Sequence, residues 1–178
     1  MPNAKPLPSA TYLHECFDYD PKTGMVFWRT RPRVHFTSVR GWKSTNTQKA
    51  GQLAGIADKH GRIRTCIEGE HVSLARVIWK MVTGLEPQGE IDHEDTDPAN
   101  NRWCNLREAD YSQSTCNRSH PNMHGYKGVS NEPHGKGYVA RVRHKGKTYY
   151  AGRADTAADA YALYCVKARQ LHGAFHHP

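Results

Sequence analysis

The sequence predicts an α+β chain in two parts, and three patterns carry that expectation. Leu74, Val77, Ile78 and Met81 recur at three- and four-residue spacing, which makes one apolar face of a helix. Residues 90–107 hold two short strand-like runs separated by the turn-forming stretch Asp97-Pro98-Ala99-Asn100-Asn101. After residue 125 come three strand candidates with glycine-containing turns, then a helix whose Ala157, Ala160, Tyr161, Tyr164, Ala168 and Leu171 share a face. Strands and helices grouped in this way favour small antiparallel sheets over a parallel one.

Taken in order, residues 1–8 are Pro-rich and expected to be disordered, and an N-terminal domain is expected over 9–119. Ser9 is a candidate cap for a short helix through Leu13 and Phe17, ending before the turn Asp20-Pro21-Lys22-Thr23-Gly24. Met25–Trp28 reads as a strand. Residues 29–50 are basic and turn-rich and read as a loop or arm. Two strands are expected to flank Lys59-His60-Gly61. The helix beginning at Ser73 should stop near Gly84, since Pro87 prevents continuation. Cys104–Arg107 reads as a strand and Tyr111–Arg118 as a helix. Residues 120–125 read as a linker and 126–178 as a second domain. Its strands are expected at Tyr126–Ser130, Tyr138–His144 and Thr148–Arg153, and its helix from an Asp155 cap to about Leu171, where Gly173 ends it.

Composition narrows the function classes. No run approaches the ~20 apolar residues of a membrane span. The start, MPNAKPLPSATYLHE, lacks the apolar core of a secretory signal, so a cytoplasmic protein is expected. Cys16, Cys66, Cys104, Cys116 and Cys165 form no CxxC pair, which argues against a zinc ribbon or a disulfide framework. The net charge of +8 is unevenly spread: +5 over residues 1–90, −3 over 91–118 and +6 over 119–178. An acidic centre between basic flanks suits a protein that holds phosphates on its flanks and a cation in the middle.

The acidic centre, GEIDHEDTDPANNRWCNLREADYSQSTCNR, carries the chemistry. Asp92 and His93 stand at the end of a strand. Phosphodiester hydrolysis needs a water deprotonated in line with the leaving oxygen and a cation to neutralise the charge that grows there. A neutral imidazole suits the first task and a carboxylate with another oxygen ligand suits the second. On an ideal strand these neighbours point to opposite faces, so the strand has to end there for both to serve one site.

The segment IDHEDTDPANNRWCNL resembles the core of the HNH endonucleases of the phage and homing type: a DH pair, a loop ending in NN, then NL. FDYDPKTGMVFW and ARVIWKMVTGLEP resemble the region before that core, so the likeness runs over about residues 12–118. It implies a ββα-metal domain with Asp92 as metal ligand, His93 as general base and Asn105 as the asparagine supporting the site. It also implies one Mg²⁺ or Mn²⁺ per site, double-stranded DNA as partner and a phage-encoded or bacterial setting. A monomer would nick, and a homodimer or two visits would break both strands. The sequence departs from the family at Ala75-Arg76, where a histidine-arginine pair is common. It departs again at Ser114, the second-ligand position 22 residues after Asp92, with Asn117 the alternate one helical turn on.

The segment from Gly125 to Phe175 resembles the APETALA2-type DNA-binding domain through its Tyr-Lys-Gly-Val opening, Tyr138–Arg143, Tyr150-Ala151-Gly152 and Leu171–Phe175. That likeness implies a three-stranded antiparallel sheet in the major groove with one helix behind. Period-two alternation puts Val139, Arg141 and Arg143 on one face. With Lys127, Lys145, Lys147, Tyr150 and Arg153 they form the expected DNA surface, although Ser130 stands where that family often has arginine. Arg29, Arg31 and Arg33, followed by Arg40 and Lys43, are a second candidate set. The expected function is a strand-nicking, metal-dependent DNA endonuclease. The competing expectations are a DNA-binding regulator with an inactive HNH centre, and an RNA binder.

Overall fold

A computed structural model describes residues 5–110, 113–114, 124–132 and 135–176. The chain forms two compact units, Met1–Glu108 and Ala109–Pro178. Helices and several small antiparallel sheets make it α+β, as the patterns predict. Among the described residues no helix is long and apolar enough to cross a membrane.

In the first unit, helix α1 (Ala10–Cys16) is capped by Ser9, whose hydroxyl accepts from Tyr12 N. Phe17, expected to continue this helix, instead opens β1 (Phe17–Tyr19), which pairs antiparallel with β2 (Val26–Trp28). The β-bonded Phe17 ring meets Trp28 at 4.5 Å between centroids, a contact a further helical turn would lose. The expected disorder of residues 1–8 is corrected for the part described. Leu7 is 5% exposed and belongs to the core, and its N–H donates to Glu86 at 3.2 Å. Apolar burial on this scale, about 2 kcal/mol for a leucine, is ample to order a short lead.

A second correction concerns residues 29–50. They contain a 3-10 turn at Arg33–His35 and an 11-residue helix, α2 (Val39–Lys49), capped by Ser38. The chain leaves and rejoins the β2 edge at one place. Trp28 donates to Gln52 O at 2.9 Å and accepts from Gly51 N at 2.7 Å.

Strands β3 (Ile56–Ala57), β4 (Ile63–Ile67) and β5 (Glu70–Ser73) form an antiparallel sheet, with the expected turn between β3 and β4. Helix α3 (Leu74–Thr83) follows at once and ends at Gly84, whose φ of 76° takes the left-handed turn that glycine permits. Its buried face is Leu74, Ala75, Val77, Ile78 and Met81, packed with Leu13, Cys16, Phe17 and Val26 in one core. Strand β6 (Glu90–His93) pairs with β7 (Leu106–Ala109), and a 3-10 turn at Trp103–Asn105 replaces the start of the expected strand.

The second unit carries β8 (Val129–Asn131), β9 (Tyr138–His144) and β10 (Lys147–Ala154) in the order β10-β9-β8, with helix α4 (Ala157–His172) on one face. Thr156, not Asp155, caps α4. Its Oγ1 accepts from Asp159 N at 3.1 Å and donates to Asp159 Oδ2 at 2.7 Å, a reciprocal cap that a residue earlier could not make. Val129, Ala140, Val142, Ala160, Tyr164 and Ala168 form its core. The expected linker and the end of the helix at 111–118 fall largely outside the described residues.

Candidate active site

The site grows from the end of β6. Strand β6 packs on α3, and Trp79 of α3 meets Trp103 at 5.3 Å between centroids, so the helix also fixes the turn that precedes β7. From below, the β1–β2 turn abuts the same stretch. Pro21 O accepts from Trp103 N at 3.2 Å, and Tyr19 Oη donates to Asn101 O at 2.9 Å. Gly24, at φ 77°, lies so close that an added Cβ would stand 2.6 Å from Arg102 N and 2.7 Å from the Asn101 carbonyl carbon.

Asp92 is 9% exposed and turns toward β7, where Arg107 Nε donates to its Oδ2 at 3.0 Å. The same guanidinium stands 3.8 Å from Glu94. His93 turns toward the loop, and its Nε2 lies 3.1 Å from Asn101 Oδ1. Asn101 is itself 3% exposed, so the imidazole leans on a buried amide rather than a mobile side chain.

Asn105 staples the loop rather than facing it. Its Oδ1 accepts from Asp95 N at 3.0 Å, and its Nδ2 donates to Asp95 Oδ1 at 2.9 Å and to Asn100 O at 2.8 Å. Asp95 also accepts from Asn100 Nδ2 at 2.6 Å and from Asp97 N at 2.9 Å. Burial works against the Asp95 charge, but these hydrogen bonds outweigh it and hold the carboxyl below its ordinary range. Loop 94–101 is therefore a tied structure, with Thr96 at φ 67° as its one strained non-glycine residue.

Asp95, Asn101 and Arg107 are the site residues that sequence reasoning missed. Asp95 and Asp97 sit in an alternating Asp/Asn stretch, the sign of consecutive side-chain-to-backbone turns. For Arg107 the signal is absent, because its partner follows from the pairing of β6 with β7.

Ser114 lies in the second unit, on a helical turn capped by Asp110, which accepts from Gln113 N while Gln113 Oε1 accepts from Asp110 N, both at 2.8 Å. It is 7% exposed. Asn117 lies outside the described residues. Among the described residues no three His, Cys, Asp or Glu side chains gather around a metal position.

On the sheet of the second unit, Arg141 lies opposite Tyr150 and Arg143 opposite Thr148, all exposed on the face away from α4. Arg141 Nη1 donates to Ser130 Oγ at 3.2 Å, and Arg153 Nη2 donates to Lys136 O at 2.7 Å. Lys145 and Lys147 are exposed at the β9–β10 turn, whereas Lys127 is half-buried. In the first unit, Arg29 donates to His14 O at 3.1 Å and Arg33 to Phe36 O. Arg31 donates to Tyr12 Oη at 2.7 Å and lies over the Phe36 ring at 4.7 Å.

Two paired strands with a tied loop between them place the carboxylate of Asp92 and the imidazole of His93 at the exit of the first strand. Residues 73–113 match the HNH endonuclease family model, so that stretch is similar to a nuclease-type HNH domain. Comparison with curated proteins and with solved structures finds no match, and the APETALA2-type resemblance of residues 126–178 gains no support from these comparisons.

Proposed function

We propose that this protein is a strand-nicking, metal-dependent DNA endonuclease of the phage or homing type, acting inside the cell with His93 as general base. One observation carries the reading: the His93 ring is fixed by Asn101 in a tied loop directly after the carboxylate of Asp92. An amide oxygen only accepts, so Nε2 carries the ring proton and Nδ1 is the basic nitrogen that takes a proton from water. Asn101 is thus a positioning residue, and Asn105 acts one step further back by shaping the loop.

The donor set fits a hard divalent cation held by few protein ligands. Asp92 is a carboxylate, a hard oxygen donor that already faces a positive group, Arg107. Asp92 would hold Mg²⁺ or Mn²⁺. The cation, when bound, supplies neutralisation of charge on the leaving oxygen. Arg107 neutralises Asp92 otherwise, and moving toward a phosphate would leave the carboxylate to the cation.

The second unit is proposed to grip the duplex with its open sheet face, Arg141, Arg143 and Tyr150 foremost, in the manner of an APETALA2-type sheet. Lys127, Lys145, Lys147 and Arg153 would border it. A second reading, a DNA-binding regulator with an inactive centre, is favoured by Ser114 at the ligand position and by the Asp92–Arg107 ion pair. A plasmid assay decides between them. Purified protein with Mg²⁺ or Mn²⁺ is expected to convert supercoiled DNA to open circles, and His93→Ala to lower that rate on the order of a hundredfold or more while still binding DNA. Absence of nicking with every divalent cation would favour the regulator.

A further inference from the structure

The first unit carries a helix that does nothing for its core. Helix α2 has no buried residue. Half-buried positions are Gly41, Trp42, Thr45 and Asn46, and exposed ones are Val39, Arg40, Lys43, Ser44, Thr47, Gln48 and Lys49, so one stripe packs and the other faces outward. The packed stripe is firmly attached. Trp42 Nε1 and Asn46 Nδ2 donate to Arg31 O at 2.9 and 3.0 Å, and Asn46 Oδ1 accepts from Arg31 N at 3.0 Å. The segment before it is pinned to α1: His35 Nε2 lies 2.6 Å from Glu15 Oε2, and the His35 ring stacks on Tyr12 at 4.2 Å. The outward stripe is therefore a fixed surface.

Its chemistry is one-sided. Residues 29–50 contain six Lys or Arg and no Asp or Glu. On the outward stripe Arg40 and Lys43 alternate with the hydroxyl and amide groups of Ser44, Thr47 and Gln48 around a shallow, open depression. A fixed row of cations and neutral donors, in a segment that itself carries no acid, matches the phosphate oxygens of a polyanion. Val39 and the aliphatic stems of its neighbours form the wall of the depression, and the cationic and polar head groups stand around it.

We propose that the outward face of α2 is a second DNA-contact surface, placed on the nuclease unit itself, where Arg40, Lys43, Ser44 and Thr47 hold the phosphate backbone of a duplex. The proposal rests on DNA as the substrate but not on cleavage. Phosphate contacts of this kind position a duplex and carry no base information, so the surface would add affinity without altering sequence preference.

The test is duplex binding by the full chain in EDTA, followed by fluorescence anisotropy across a salt series. Each phosphate contact adds about 0.9 to the slope of log affinity against log salt. Arg40→Gln/Lys43→Gln is expected to lower that slope by roughly 1.8 and to weaken binding on the order of tenfold at moderate salt. Ser44→Glu/Thr47→Glu, which keeps good helix formers, should weaken binding to a similar extent, and Arg40→Lys/Lys43→Arg should retain it. An unchanged slope in folded Gln and Glu variants would overturn the proposal. Lowered slopes in a protein that never nicks would leave α2 as a DNA contact and remove only the nuclease reading. Nicking with unchanged slopes would do the reverse.

Discussion

At the scale of single residues, the candidate centre depends on amides as much as on its acid and base. Asn101 is named by its neighbours, not by its type: it is buried, holds His93 by its side chain and Tyr19 by its carbonyl. Asn101→Ala should leave His93 present but unoriented. We expect a rate loss of about tenfold to a hundredfold and, because the tautomer is no longer fixed, a displaced alkaline-rising limb in the pH–rate profile. A loss of rate with an unmoved profile would mean that Asn101 only packs. The sequence showed Asp92, His93 and Asn105 through the DH and NL patterns, whereas the work of Asn101 depends on where the loop returns. Elsewhere, Cys16, His35 and Glu15 stand in the order of nucleophile, base and acid. Burial raises the Cys16 thiol above its usual range and leaves its residue fully covered, and the trio ties α1 to the 29–50 segment.

Elements with a strong apolar period were legible in the sequence, and the others were not. Helices α3 and α4 bury a face at helical spacing and follow the sequence pattern closely. Helix α2 has no such face, since Trp42 is its only large apolar anchor, and only the Ser38 cap and the absence of proline after Pro32 hint at it. Strands β1 and β5 are three and four residues long, too short for alternation to be read. The β1–β2 hairpin shows how such a small element positions the site. Its turn at Gly24 lies against Asn101 and Arg102 without room for a side chain. Gly24→Ala is expected to cost about 1–3 kcal/mol from its left-handed φ and to push the loop outward. Plasmid nicking should fall even where the protein remains folded, and an unaltered rate would show that the hairpin does not set the loop.

For the whole molecule, the two units are expected to differ in how they respond to acid. His172, at the end of α4, is buried. Its Nε2 lies 3.1 Å from Arg143 O, and its Nδ1 lies 3.4 Å from His144 Nδ1. Burial first, and then the neighbouring His144, lower its affinity for a proton below the ordinary value of 6.5. The folded unit therefore prefers the neutral ring, and the unfolded chain binds a proton more readily. Stability from this group is present in full above 6.5 and is lost as the pH falls through the lowered folded value. The four tryptophans, at 28, 42, 79 and 103, all belong to the first unit, so their fluorescence reports that unit alone. Urea unfolding at neutral pH and at roughly pH 5 should show weakening by far-UV circular dichroism that tryptophan emission does not follow. His172→Asn should remove the difference, and equal weakening by both probes would assign acid sensitivity to the first unit.

The junction at Trp28 has an evolutionary consequence. Because the chain departs and returns through adjacent backbone hydrogen bonds, everything between those bonds is a cassette. Lengthening a closed loop twofold costs only about 0.6 kcal/mol, so this stretch can be extended, trimmed or exchanged while the strands beneath it stay registered. Descendants of one scaffold could thus acquire different outer surfaces by rewriting a single insert, with the candidate centre inherited unaltered.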